Sequence, residues 1–226
     1  MIYYDDSHLL AKDFDYRHNP SWRIFRIMAE FIDGFTFLSE FEKAVTFFGS
    51  ARFDEKHDHY QKAYELAKKL GSKGYTIITG GGPGVMEAAN RGAKEGGGQS
   101  VGINIMLPNE QRVNQYVDKS IALNHFFIRK VILAFSAEAF IFFPGGFGTM
   151  DEMFELSTLI QTNKIERKVP IILVGKNYWE PLVDWVNHQL LEEYKTISPQ
   201  DLNIWQIADS VEQAFNLVET YMAIKK

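Results

Sequence analysis

Residues 144 to 152 read Pro-Gly-Gly-Phe-Gly-Thr-Met-Asp-Glu and directly follow the apolar run Ala139-Phe-Ile-Phe-Phe143. A second glycine loop, Gly80-Gly-Gly-Pro-Gly84, follows the apolar run Tyr75-Thr-Ile-Ile-Thr79. Both lead into stretches with helical spacing. Glycines let a backbone come close to an anion, and a helix N-terminus offers unpaired N–H groups and the positive end of a dipole. Two such units in one short chain point to a phosphorylated small molecule. Glu152, just past the second loop, adds a carboxylate that could catalyse.

Two familiar phosphate patterns are absent. A dinucleotide fingerprint needs G-x-G-x-x-G and an acid about twenty residues on. Here the loop is Gly80-Gly-Gly-Pro-Gly84, and the next strand, Val101-Gly-Ile-Asn-Ile105, ends without an acid. No Lys-Ser/Thr pair follows either loop, so the triphosphate loop also fails. A monophosphate fits better.

Each of these residues also has a purely structural reading. Pro83 suits a first helical position, and the glycines beside it suit tight turns. Thr149-x-x-Glu152 matches a capping box, and Glu87 falls where a helix dipole favours any carboxylate. Arg129-Lys130 on a helix is ordinarily a solvated face. Its flanks are apolar, however, so at least one cation is expected to be directed, and arginine suits bidentate anion binding. The histidines lack metal spacing, and His57-Asp-His59 reads as surface. Trp179, Trp185 and Trp205 read as core or interface residues.

The elements that position these groups alternate. Residues 1–20 read as a loose polar arm, and 21–226 as one domain. A helix is expected from Ser21, with Trp22, Phe25, Met28, Ile32 and Phe35 at helical spacing and Gly34 interrupting it near its end. Strands are expected at 44–48, 75–79, 100–105, 119–123, 138–143 and 169–174. Helices are expected at 57–73, 84–95, 125–135, 149–161, 178–193 and 210–223. Continuous apolar strands such as Ile171-Ile-Leu-Val174 imply a parallel sheet covered on both faces. The expectation is a Rossmann-like three-layer α/β fold, with both glycine loops at carboxyl ends of strands, where such sheets bind ligands.

Composition sets the outer limits. The chain has 226 residues, 46% hydrophobic and 23% charged, with a formal charge of −5 and no cysteine. That is an ordinary globular balance and large enough for a sizeable core. The acidic balance argues against a nucleic acid polymer or an anionic membrane as partner. The lack of cysteine excludes disulfides, thiol catalysis and cysteine zinc sites. No stretch approaches the ~18 apolar residues of a membrane span, and the first residues lack the pattern of a signal peptide. A cytoplasmic protein is expected.

Taken together, Gly80-Gly-Gly-Pro-Gly-Val-Met-Glu87, Gly102-Ile-Asn-Ile-x-Leu-Pro108, Phe126-Phe-Ile-Arg-Lys130 and Pro144-Gly-Gly-Phe-Gly-Thr-Met-Asp-Glu152 resemble the LOG family. These are the cytokinin-activating phosphoribohydrolases, long labelled possible lysine decarboxylases. The resemblance covers roughly residues 21 to 223. The Phe-Arg-Ile-Met-Ala-Glu-Phe-Ile-Asp-Gly-Phe stretch from Phe25, and Glu87, resemble the longer bacterial branch.

The resemblance implies hydrolysis of the N-glycosidic bond of a purine nucleoside 5′-monophosphate, giving base and ribose 5-phosphate. It implies Arg129 and Glu152 as the catalytic pair. It implies substrate and phosphate contacts from Gly81, Gly82, Gly84, Glu87, Lys130, Gly145, Gly146, Gly148 and Thr149. No cofactor and no metal are implied, and the partner is a second copy of the chain, as a homodimer or larger homo-oligomer. The chain departs just ahead of Arg129, reading His-Phe-Phe-Ile-Arg-Lys where the best-known plant members read His-Met-x-x-Arg-Lys. That difference bears on the base rather than the reaction. A molybdenum-cofactor or nucleotide carrier of similar fold is the alternative. A pyridoxal-phosphate decarboxylase would need a Schiff-base lysine and a partner for the pyridinium nitrogen, neither of which is visible.

Overall fold

The computed structural model describes residues 20–106, 113–165 and 169–224. Residues 1–19 of the arm expected over 1–20, Leu107 and Pro108 of the Gly102–Pro108 motif, and the last two residues lie outside them; Pro20, the last residue of the expected arm, is the first of a helix.

Seven strands form one parallel sheet. They are β1 (Ala44–Phe48), β2 (Thr76–Thr79), β3 (Ser100–Ile105), β4 (Lys119–Leu123), β5 (Ala139–Phe142), β6 (Ile171–Val174) and β7 (Trp205–Ala208). Their order is β4-β3-β2-β1-β5-β6-β7, and every neighbouring pair is parallel. The chain winds one way from β1 to β4 and then restarts at β5 on the other side of β1. The carboxyl ends of β1 and β5 are therefore the switch point, where the following loops part and leave a crevice.

Seven α-helices cover the sheet: α1 (Pro20–Leu38), α2 (Asp58–Gly71), α3 (Val85–Glu95), α4 (Phe126–Phe135), α5 (Phe147–Gln161), α6 (Lys176–Trp185) and α7 (Val211–Ile224). Alternate strand residues feed two cores. Val45, Phe47, Ile77, Ile141 and Ile172 pack with α2, α3 and α7. Ala44, Phe48, Ile103, Phe140 and Leu173 pack with α4, α5 and α6, and α1 adds Ile27 and Phe31 to that side. Burial on both faces explains why central strands such as β5 and β6 read as unbroken apolar runs.

Some sequence-based expectations need correction. Helix α1 begins at Pro20 and runs through Gly34, which does not interrupt it. A Cβ there would lie 2.7 Å from Ile132, so the glycine lets α1 press against α4. Pro83 does not open α3: the cap is Gly84 and Val85 the first helical residue. The helix expected over 178–193 is α6 followed by a π-helical stretch, Val186–Glu193. A short 3₁₀ helix, Pro199–Ile204, and the edge strand β7 were not foreseen.

Candidate active site

Helix α5 begins immediately after the second glycine loop. Its cap is Gly146, no side chain caps it, and the first N–H groups have no acceptor within the helix. Thr149 is already the third helical residue. Glu152 therefore stands a full turn deeper than a capping box requires, and that reading of Glu152 falls. Its side chain instead points into a cleft of about 990 Å³ at the carboxyl ends of β1 and β5. Glu152 is only 9% exposed and makes no hydrogen bond or ion pair among the described residues. Burial pushes its pKa up to about 7, with the charge of Arg129 pulling the other way.

Arg129 reaches the same cleft from the first turn of α4. Its Nε donates to the Ile103 carbonyl at the end of β3, at 2.9 Å. The guanidinium lies over Gly80, close enough that any Cβ there would collide with Nη2. Burial lowers its pKa and Glu152 opposes the shift. The start of α4 is itself held by Glu30 of α1. One Glu30 carboxylate oxygen accepts the Asn124 N–H at 3.1 Å and the His125 N–H at 3.3 Å, and the other accepts from Asn124 Nδ2 at 2.8 Å. Glu30 thus satisfies N–H groups at the helix N-terminus and fixes where Arg129 emerges.

The remaining expected site residues fall into two groups. Gly145, Gly146, Gly148 and Thr149 line the cleft with Arg129 and Glu152. The Tyr178 hydroxyl donates to the Gly145 carbonyl at 2.6 Å, tying this loop to α6. Gly81, Gly82, Gly84, Glu87 and Lys130 are not among its walls.

The first loop is held from beneath by a buried polar network. The Gly81 N–H donates to Thr79 Oγ1 at 2.8 Å, and Thr79 donates to Asn90 Oδ1 at 2.7 Å. Asn114 Nδ2 donates to the Gly81 and Gly82 carbonyls at 3.2 and 3.0 Å. Gly84, at φ 72°, lies so near Ser50 and Ala51 that no side chain fits. Glu87 accepts from the Tyr60 hydroxyl at 3.4 Å. Lys130 turns to α5, with its ammonium 3.0 Å from Asp151 and 3.2 Å from Glu155. The Arg129-Lys130 pair is thus split, one cation in the cleft and one bracing two helices.

Sequence reasoning missed the third wall. The loop after β1 brings Ser50, Arg52 and Phe53 to the cleft, and the start of α2 brings His57 and His59. The histidines, read as surface from sequence, stack with Phe53: the His57 and Phe53 ring centroids are 3.8 Å apart and the planes 9° apart. Burial depresses the His59 pKa, disfavouring the charged ring. Only the short spacing of His57 and His59 marked them, and it carried no information about what they would face.

A buried carboxylate, an arginine held across from it and an uncapped helix N-terminus in one crevice can bind an anionic ligand and stabilise positive charge near it. The family described as "Possible lysine decarboxylase" matches residues 86–218, more than half of the chain. The chain belongs to that family, the LOG family.

Relatives carry the corresponding names. A rice (Oryza sativa subsp. japonica) protein named "Probable cytokinin riboside 5'-monophosphate phosphoribohydrolase LOGL3" is 27% identical over 188 residues, covering 81% of this chain and 86% of its own. An uncharacterized protein of Archaeoglobus fulgidus is 32% identical over 150 residues, covering 65% of this chain and 94% of its own. Among solved structures, the molybdenum cofactor carrier protein of Chlamydomonas reinhardtii aligns with a TM-score of 0.61 at 23% identity, over 80% of this chain and 99% of that one. This last likeness establishes the shared LOG-type fold.

Proposed function

We propose that the protein hydrolyses the N-glycosidic bond of a purine nucleoside 5′-monophosphate, AMP or an N6-modified adenine nucleotide, releasing the base and ribose 5-phosphate. The observation that carries the proposal is the buried, unpaired Glu152 facing Arg129 beneath the open N-terminus of α5. The 5′-phosphate would sit on the N–H groups of Phe147, Gly148 and Thr149. As the base departs, ribose takes on oxocarbenium character. The ionised Glu152 would stabilise that charge and orient the attacking water. Arg129, fixed by Ile103 and Gly80, would hold the substrate against it. The names of the rice relatives support the substrate class.

A lysine decarboxylase is disfavoured by the residues themselves, because no lysine lines the cleft among the described residues. A second reading, a carrier that holds a nucleotide or pterin-type cofactor uncleaved, draws on cleft size. About 990 Å³ lies at the top of the usual range for ligand pockets, ~300–1,000 Å³, and leaves room for a larger ligand. Incubating the protein with a panel of nucleoside monophosphates and chromatographing the products separates the two. Free base supports the hydrolase, and stoichiometric binding without base release supports the carrier.

The working unit in this proposal is a homodimer in the cytoplasm. No helix among the described residues is long and apolar enough to cross a membrane. Trp22, Phe25, Met28, Ile32 and Phe35 form an exposed apolar stripe on α1, and Phe35 meets Phe135 of α4 edge-on at 6.2 Å. An apolar surface of this extent suits burial against a second copy.

A further inference from the structure

We propose that Arg52 is the cation that clamps the substrate phosphate from the open side of the cleft. This goes beyond the pairing of Arg129 with Glu152 but rests on the nucleotide reading of the cleft.

Three observations converge on Arg52. First, the loop that carries it is stitched to the second glycine loop. The Ser50 N–H donates to the Pro144 carbonyl at 3.0 Å, and the Arg52 N–H donates to Ser50 Oγ at 3.1 Å. The Val85 N–H in turn donates to the Ser50 carbonyl at 3.0 Å, so Arg52 is carried on a loop tied to both glycine loops, at the cleft that the N-terminus of α5 also lines. Second, among the described residues lining the cleft, Arg52 and Arg129 are the only arginines, and there is no lysine. Arg129 is engaged at Ile103 and over Gly80, where the first loop begins, leaving Arg52 as the other arginine that lines the cleft. Third, the Arg52 guanidinium has no ion-pair or hydrogen-bond partner among the described residues, whereas Lys130 is engaged by Asp151 and Glu155.

The chemistry then divides cleanly. A phosphate dianion seated on backbone N–H groups still has oxygens facing outward, and a planar guanidinium takes two of them at once. Asp151 also lines the cleft and would repel that dianion, but Lys130 offsets its charge. In this arrangement Lys130 aids the phosphate only through Asp151, and Arg52 takes the direct role that the family resemblance suggested for Lys130.

The test uses ribose 5-phosphate and inorganic phosphate as probes, titrated calorimetrically into the wild-type protein and into Arg52→Ala, Arg52→Lys and Lys130→Ala. Arg52 is exposed, so its replacement should leave the fold intact. Arg52→Ala should weaken ribose 5-phosphate binding at least tenfold, and Arg52→Lys should recover part of the loss. Lys130→Ala should weaken it less than Arg52→Ala does. In turnover, Arg52→Ala should raise KM for AMP more than it lowers kcat, since the clamp binds ground and transition states alike. Unchanged affinity in Arg52→Ala, or a larger loss in Lys130→Ala, would overturn the assignment. Because the binding arm needs no catalysis, a wild-type protein that binds ribose 5-phosphate but releases no base would refute the hydrolase reading alone.

Discussion

Glu152 and Arg129 face one cleft from neighbouring helices and shift each other's titration, yet they form no ion pair. A pair already closed on itself would have to be opened by the substrate. This one leaves both charges available. If Glu152 stabilises the ribosyl cation, Glu152→Gln should lower kcat by ~10²-fold or more, the size typical of losing one preorganised electrostatic group. Near-wild-type base release would remove Glu152 from catalysis.

The same carboxylate should cost stability. Its pKa is about 7 in the folded protein against an ordinary 4.5, so the folded state binds more protons between those values. The contribution is fully present below pH ~4.5 and is lost as pH rises through ~7. Glu152→Gln should therefore be more stable than wild type at pH 8, by on the order of 1–3 kcal/mol, and the gain should vanish near pH 4. Denaturant melts of both proteins at the two pH values test the sign.

Activity should follow the opposite trend. The proposed role needs the ionised carboxylate, so kcat/KM should climb about tenfold per pH unit below 7 and level off above it. The second ionisation of a phosphate ester falls near ~6 and steepens the acid limb. Saturating substrate removes that contribution from kcat. A rate that falls as pH rises through 7 would instead make Glu152 a general acid.

Gly80 is expected to matter through Arg129. A Cβ at Gly80 would meet the guanidinium directly, while the flexible arginine could swing away. Gly80→Ala should thus fold but displace Arg129, with a ~10²-fold loss of turnover, as expected of a misplaced catalytic group. Wild-type turnover would show that the contact with Gly80 does not position Arg129.

Much of this was legible in the sequence because the signals were local. Glycine loops after apolar runs mark strand ends, and a strand end in a parallel sheet marks a ligand site. What stayed hidden was set by tertiary contacts. The capping reading of Glu152 failed because Gly146 opens α5 ahead of Thr149, placing the carboxylate in the cleft instead of at the cap. Arg52 gave no pattern, and the spacing of His57 and His59 did not say what they face, since all three reach the cleft only once the β1 loop is stitched to Pro144. Strand β7 is a four-residue edge strand with partly exposed side chains, too short for alternation to declare it.

The apolar stripe on α1 gives a separate test of assembly. Phe25 and Ile32 are 60% and 63% exposed. Replacing both with Glu should convert a wild-type dimer to monomer, as read by light scattering on a sizing column. A monomeric wild type would contradict the proposed homodimer.

The most direct test of the whole account compares base release from AMP and adenosine side by side at equal concentration. If the open N-terminus of α5 grips the 5′-phosphate and that binding orients the ribose against Glu152, losing the phosphate should lower turnover as well as affinity. AMP should be cleaved and adenosine disfavoured by ~10³-fold in kcat/KM, about 4 kcal/mol of transition-state binding. Comparable rates from the two substrates would mean that the glycine loops are structural turns only, and that the site proposed between them is not where the chemistry happens.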